Sequence, residues 1–389
     1  MVIMTLLLAT LLQSAVQVDT AFPGGNAVVE AVEGDEIRLR PDLRDTAGDW
    51  FYWHVRVRGA GGRTLTFRFS KGNPVGVLGP AVSLDGGATW AWAGKEAVDG
   101  PSSFRYAVPA GADDVRFCMS IPYLEKDLRA FLERHRGSPF LKSETLCTSK
   151  KGRPIERLRA GRVDAEPLHR VLLTARHHAC EMIASYVLEG ILEQVLADDD
   201  DGRRLRETVE FCAIPFMDKD GVEDGDQGKN RTPRDHNRDY DGESVHPSTR
   251  ALRDWAPGWA DGKLKAAIDL HCPTLRGRYN ETIYFVGSSD EAGWKTIESF
   301  SATLEAIQSG PLKYRAKDNL PFGQGWNTAA NFRQGLSFKG WAKDLPGVRL
   351  ASTLEISYAN ANGTIVTGDA ARAFGRDMAR ALRRFLDGL

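Results

Sequence analysis

Cysteine is scarce in this chain. Its 389 residues hold five, Cys118, Cys147, Cys180, Cys212 and Cys272. The number is odd and no Cys-x-x-Cys pair occurs, which excludes a dense disulfide framework. A single bridge, Cys118–Cys147, stays open for an exported protein. Cys180 and Cys272 read as small packing residues, the commoner fate of a buried thiol. An excess of one charge is also missing: 51 Lys and Arg face 52 Asp and Glu. Nothing therefore suggests a binder of nucleic acid or another polyanion. Beyond the N-terminus no apolar run is long enough to cross a membrane. No internal repeat is present, and the run Asp198 to Asp201 reads as a solvated loop after a helix.

What is present fits two domains with sizeable cores. Residues 1–18 carry Leu6-Leu7-Leu8-Ala9-Thr10-Leu11-Leu12, of signal-peptide length and too short for a bilayer. No Lys or Arg precedes the run, so a buried first strand is the competing reading. The protein is exported if the signal is real and cytoplasmic otherwise. Residues 24–122 read as an antiparallel β-sandwich domain. Trp50 to Arg58 is aromatic and β-branched, Thr64 to Phe69 alternates, and Val115, Phe117, Met119 and Ile121 alternate with polar residues. Gly-rich turns separate these stretches. The aromatic run reads as core packing ahead of a sugar-binding face.

Residues 123–389 read differently. A helical pattern covers Leu124 to Leu132, and a hairpin joins Glu144–Thr148 to Pro154–Leu158. Strands then alternate with helices: Val171–Thr174, the Ile183–Leu196 helix, Thr208–Pro215, Leu264–Leu270, Thr282–Val286, the Glu291–Ile307 helix, Leu350–Ile356 and the Ala370–Leu386 helix. The expected fold is α/β, a mostly parallel, doubly wound mixed sheet with helices on both faces.

Chemistry gathers at the strand ends. His178-x-x-Glu181 follows the apolar run Val171 to Leu173, and an i, i+3 pair at a helix start points both side chains one way. His271 ends a second apolar strand. Two imidazoles and a carboxylate form an open three-ligand zinc site. Glu355 lies in Thr353-Leu354-Glu355-Ile356, and a carboxylate in an apolar strand is expensive unless paired or working. Beside a metal it can take a proton from water. The segment from Gly228 to Tyr240 is Arg-rich and apolar-poor. Its arginines could hold a carboxylate and a developing oxyanion, or could simply pair with Asp235 and Asp239 in a solvated loop.

The ordered set Ala175-Arg176-His177-His178-Ala179-Cys180-Glu181, Asp220-Gly221, Gly228-x-x-Arg231, Asp235-x-Asn237-Arg238, Asp269-Leu270-His271 and Thr353-Leu354-Glu355 resembles zinc metallocarboxypeptidases. The chain looks most like their cytosolic-carboxypeptidase-like branch, with Asp49-Trp50-Phe51-Tyr52 and Ile121-Pro122-Tyr123 as further landmarks. The resemblance implies one zinc per chain on His178, Glu181 and His271, with Asp235 orienting His178. It implies that Asn237 and Arg238 bind the terminal carboxylate of a peptide or protein substrate. Arg231 would polarise the scissile carbonyl, with Arg234 its rival, and Glu355 would be the general base. Ala179-Cys180 stands where the family has Pro-Gly, Asp218-Lys219 where it has Asn-Pro, and Ser352 where the branch has Tyr. Tyr358 and Tyr314 are the candidates for the family's mobile tyrosine. Lys339 lies near the position whose basic residue favours acidic C-terminal residues in related enzymes. Two other functions stay open: a zinc amidohydrolase acting on small N-acyl amino acids, and a non-catalytic zinc-containing binding protein.

Overall fold

The computed structural model describes residues 15–48 and 50–389. Most of the leader reading over residues 1–18 therefore lies outside the described residues. Gln17 and Val18 lie inside them, in a strand paired with Arg58 and Val57.

The chain begins with β1 (Gln17–Asp19), β2 (Val28–Glu33), β3 (Glu36–Arg40), β4 (His54–Arg58) and β5 (Thr64–Phe69). It continues through β6 (Ala81–Ser83), β7 (Ala91–Trp92), β8 (Ser103–Ala107) and β9 (Asp114–Cys118). These form two sheets, ordered β1-β4-β9-β6-β7 and β2-β3-β5-β8. Alternation places Phe67 of β5, Phe104 of β8 and Phe117 of β9 in one core, where Phe67 stacks on Phe104 at 4.4 Å and lies 4.8 Å from Phe117. One pair departs from a wholly antiparallel arrangement: β3 and β5 run parallel. Between them the chain crosses to β4 in the other sheet and returns, as a parallel pair requires. The strand expected over Trp50 to Arg58 is regular only from His54. Before it, the amides of Phe51 and Tyr52 donate to the Gln227 side chain, at 3.1 and 2.8 Å, and not to a neighbouring strand.

The rest of the chain is mixed α/β. It runs α1 (Glu125–Arg134), β10 (Leu141–Thr148), β11 (Pro154–Gly161), β12 (His169–Ala175), α2 (Met182–Leu196), α3 (Asp200–Thr208) and β13 (Val209–Ile214). Then come α4 (Lys219–Asp224), α5 (Pro247–Ala260), β14 (Leu264–His271), β15 (Tyr284–Val286), α6 (Glu291–Ile307), α7 (Phe338–Ala342), β16 (Leu350–Glu355) and α8 (Gly368–Asp387). The sheet order is β10-β11-β13-β12-β14-β16-β15. Its four central strands are parallel, and the hairpin β10–β11 and the strand β15 close the two edges antiparallel.

Period-two alternation divides the strand residues between two faces. Val171, Leu173, Phe211 and Ile268 pack with Ile183, Val187 and Ile191 of α2 and with Phe374 and Met378 of α8. Leu172, Cys212, Ile214 and Ala267 pack with Leu252 and Ala256 of α5 and with Phe338 of α7. Each such large apolar side chain, fully buried, contributes about 1.5–3 kcal/mol. Helices α2 and α8 cross so closely that a Cβ on Gly190 would lie 2.0 Å from the Arg372 carbonyl oxygen. No described helix is long and apolar enough to cross a membrane.

From β12 the chain moves to β13 on one side and then to β14 on the other, so the winding direction reverses at the β12–β14 junction. Parallel sheets leave a crevice beyond the strand C-termini at such a point. All five cysteines are free, so the Cys118–Cys147 bridge that the sequence left open does not form. Cys118 is buried in the N-terminal core while Cys147 sits on the hairpin strand β10.

Candidate metal centre

At the end of β12, Arg176 takes a left-handed φ of 61° and turns the chain. Such a conformation is costly for a bulky residue unless it is held. The buried Arg176 guanidinium holds it, donating to the carbonyls of Tyr123 (2.8 Å) and Ala179 (3.0 Å) and to Ser185 Oγ (3.1 Å). This turn presents His178, and the start of α2 presents Glu181.

His178 Nδ1 lies 2.9 Å from Glu181 Oε1. His271, the last residue of β14, places its Nδ1 2.7 Å from Glu181 Oε2 and 3.3 Å from His178 Nδ1. The three residues each offer a ligand atom, all within 4.8 Å of one another. Their far nitrogens are engaged. His178 Nε2 lies 3.2 Å from Asp235, and His271 Nε2 lies 2.6 Å from Asp269 and 3.1 Å from Asn237 Nδ2. Carboxylates behind metal-binding imidazoles fix the tautomer and the ring orientation. The donor set therefore fits an open zinc site.

His177, Asp269 and His271 form a second, overlapping group. There both His177 nitrogens are already taken, Nδ1 by Asp269 at 2.8 Å and Nε2 by the Tyr240 hydroxyl at 2.7 Å. Asp269 also accepts from Thr174 Oγ1 at 2.8 Å. Burial opposes its ionisation, but His177 and His271 beside it hold its carboxyl well below the usual range. Asp269 escaped the sequence reading as a site residue. It stands two positions before His271 on one strand and so shares its face, which was the available signal.

Glu355 ends β16 directly opposite His271 in the sheet register. Burial pushes its carboxyl up to about 7, against the pull of His271, and Oε2 has no hydrogen bond among the described residues. A cavity of about 350 Å³ opens over these groups. His178, His271, Glu355, Asp235, Asn237 and Arg238 line it, as do Lys339, Trp50, Tyr279 and Trp326. Asn237 is partly used already, since its Oδ1 accepts from the Phe338 amide at 2.9 Å. Arg238 donates to the carbonyls of Asn331 (3.2 Å) and Asn237 (2.6 Å).

Several expected residues fall elsewhere. Arg231 does not line this cavity. Its Nη2 is held by Asp218, by Asp226 at 3.0 Å and by Asp45 at 3.5 Å, and three carboxylates outweigh what the cavity could offer. Arg234 pairs with Asp239 at 3.1 Å and with the Glu243 carbonyl. Tyr358 and Tyr314 are both buried away from the cavity, bonded to Cys180 and Asn319, and Tyr279 is the tyrosine that lines it. The cation that sequence reasoning missed is Lys229. It lines the cavity, and its Nζ donates to Glu181 Oε1 and, at 3.0 Å, to the Cys272 carbonyl.

A family model described as zinc carboxypeptidase, Peptidase_M14, matches residues 128–379. Cytosolic carboxypeptidase 2 of Xenopus tropicalis is 26% identical over 261 residues, 58% of this chain and 27% of that protein. Cytosolic carboxypeptidase 6 of Caenorhabditis elegans is 26% identical over 263 residues, 60% and 57%. The matched stretch thus spans 27% and 57% of these curated relatives' own lengths. Among solved structures, a metallo-carboxypeptidase from Burkholderia cenocepacia is 22% identical, with a TM-score of 0.77 over 96% of this chain and 100% of that one. One from Pseudomonas aeruginosa, in complex with (2-guanidinoethylmercapto)succinic acid, is also 22% identical, with a TM-score of 0.76 over 95% and 99%. These two share the fold.

Proposed function

Because the chain belongs to the zinc carboxypeptidase family, whose metal is zinc, we propose that it hydrolyses the last peptide or isopeptide bond of a peptide or protein. The observation that carries this reading is the cavity that brings His178, His271, Glu355 and Arg238 together beside Glu181. We read residues 123–389 as the catalytic domain, its parallel strands doubly wound, and residues 24–122 as a sandwich domain.

In this reading His178, Glu181 and His271 hold one zinc, and Asp235 and Asp269 orient the two imidazoles. Zinc, when bound, makes a water acidic and polarises a carbonyl. Glu355 takes a proton from the attacking water and passes it to the leaving amine as the C–N bond breaks. One water is consumed, and a shortened chain and a free amino acid result. Arg238 holds the substrate's terminal carboxylate with its planar fork of donors, and Asn237 stands beside it. Only the last bond then lies over the reacting groups, so position and chain-end selectivity come from one contact. The cytosolic names of the curated relatives favour a cytoplasmic location; export requires the leader to be real.

The test compares kcat/KM for a peptide as free acid and as C-terminal amide. Losing the charge-assisted contact costs roughly 1.5–3 kcal/mol, so the amide should be cut at least about tenfold more slowly. Chelation should abolish turnover, and zinc should restore it. Glu355→Gln should lose ~10²–10⁴-fold in rate while keeping its zinc. Equal rates on acid and amide would redirect the assignment to an endopeptidase. Turnover of N-acyl amino acids alone would favour the amidohydrolase, and zinc without turnover of either class would favour a binding protein.

A further inference from the structure

We propose that Lys229 is the side chain that meets the substrate's carbonyl oxygen as negative charge develops there. The inference rests on the carboxypeptidase reading and adds a residue to it. A side-chain cation beside the reacting carbonyl would add to what zinc supplies there, because preorganised positive groups in a water-poor cavity stabilise an oxyanion strongly. Of the loop arginines, Arg231 is locked among Asp45, Asp218 and Asp226, and Arg234 is turned to Asp239. Arg238 is assigned to the chain end in that reading. Lys229 is the loop cation that lines the cavity with His178, His271 and Glu355 while also touching Glu181.

Its position is fixed from both sides. The Asp45 carboxylate accepts from the amides of Gln227 (3.2 Å) and Gly228 (2.8 Å), and Thr46 Oγ1 donates to the Lys229 carbonyl. On the other side Gly228, at φ 81°, lets the loop lie so near the His178–Ala179 backbone that an added Cβ would stand 2.3 Å from the Ala179 nitrogen. The Lys229 side chain is only 12% exposed, so its ammonium keeps a partner at some cost in solvation. That partner is Glu181, one of the residues proposed to hold zinc. A divalent cation held by Glu181 would share its charge and so weaken the hold on Lys229. The next anionic oxygen in the cavity is then the one formed on the substrate, within reach of a flexible four-carbon stem.

The experiment uses the full zinc-loaded protein, Lys229→Met, Lys229→Gln and Lys229→Arg. It reads three quantities: zinc per chain by metal analysis, kcat on one free-acid peptide, and calorimetric affinity for a tetrahedral phosphinic analogue and for a planar non-cleavable analogue of that peptide. Both neutral variants should keep zinc and lose ~10²-fold or more in kcat and in affinity for the tetrahedral analogue. Affinity for the planar analogue should change by less than about fivefold, since only the developing charge is read. Lys229→Arg should recover part of the loss. Lys229→Gln keeps a donor for Glu181 and serves if Lys229→Met fails to fold or to hold zinc. Equal affinity of the unmutated protein and a zinc-loaded neutral variant for the tetrahedral analogue overturns this role alone. An unmutated protein that neither cleaves the peptide nor binds the tetrahedral analogue overturns both this role and the carboxypeptidase reading.

Discussion

At the scale of one residue, Lys339 is the side chain we expect to set substrate preference in this cavity. Burial lowers its amine to about 8, and Lys343 and Arg238 nearby add to the effect. Its Nζ donates to the Gly287 carbonyl at 2.9 Å while lining the cavity. Below that pH the amine is charged, and an acidic terminal side chain gains a charge-assisted contact. Above it the charge is lost and the contact weakens. The ratio of kcat/KM for a Glu-ended over a Gln-ended peptide should therefore be about tenfold near pH 6.5 and fall several-fold by about pH 9. Lys339→Met should remove both the preference and its pH dependence. A ratio that stays flat in the unmutated protein would mean that Lys339 does not read the side chain.

Among the elements, the α2–α8 crossing carries the sharpest expectation. The Gly190 approach to Arg372 is backbone on backbone and leaves no flexible atom to yield. Gly190→Ala should cost at least about 1–3 kcal/mol and lower the melting temperature, despite alanine's better helix propensity. An unchanged melt would show that α8 can shift outward without loss. Elements with a strong apolar period were legible in the sequence. Helix α6 spans Glu291–Ile307 and β5 spans Thr64–Phe69, the bounds that periodicity suggested. Helix α3 was not legible. It buries only Gly202 and Leu205, too little for an apolar stripe, so the acidic run that opens it read as loop. In the fold Asp199 caps that helix, accepting from the Gly202 amide at 2.7 Å, and Asp200 and Asp201 fill its first turn. Helix α5 was missed too, because Pro257 lies inside it and its buried face is mostly small residues.

For the molecule as a whole, the important contact joins the N-terminal sheets to the loop over residues 225–232. Asn26 donates to the Gly225 carbonyl at 2.8 Å, Arg44 pairs with Asp226 at 3.0 Å, and Gln227 accepts from the amides of Phe51 and Tyr52. Asp45→Ala would leave the buried amides of Gln227 and Gly228 without an acceptor, at roughly 1–3 kcal/mol each. Amide hydrogen exchange over residues 225–232 should accelerate, and kcat should fall, while exchange in the β12 and β14 strands stays protected. Uniform acceleration across the chain would instead make Asp45 a residue of global stability. This contact explains why part of the site was hidden in the sequence. His178, Glu181, His271 and Glu355 follow apolar strands or lie within them, and pattern alone finds such positions. Asp45 and Thr46 reach the backbone of the Lys229 loop only because separate segments fold against one another, and no local period encodes that meeting.

Two segments far apart in the chain therefore hold one loop beside the cavity. A transfer of the role proposed for Lys229 between relatives by grafting should fail if it moved residues 225–232 and left residues 42–52 behind. The transplanted Lys229 would arrive without Asp45 and Thr46, which bond the backbone of its loop, and the recipient would gain a lysine but not its position. Substitutions on one segment should therefore be tolerated best beside matching substitutions on the other.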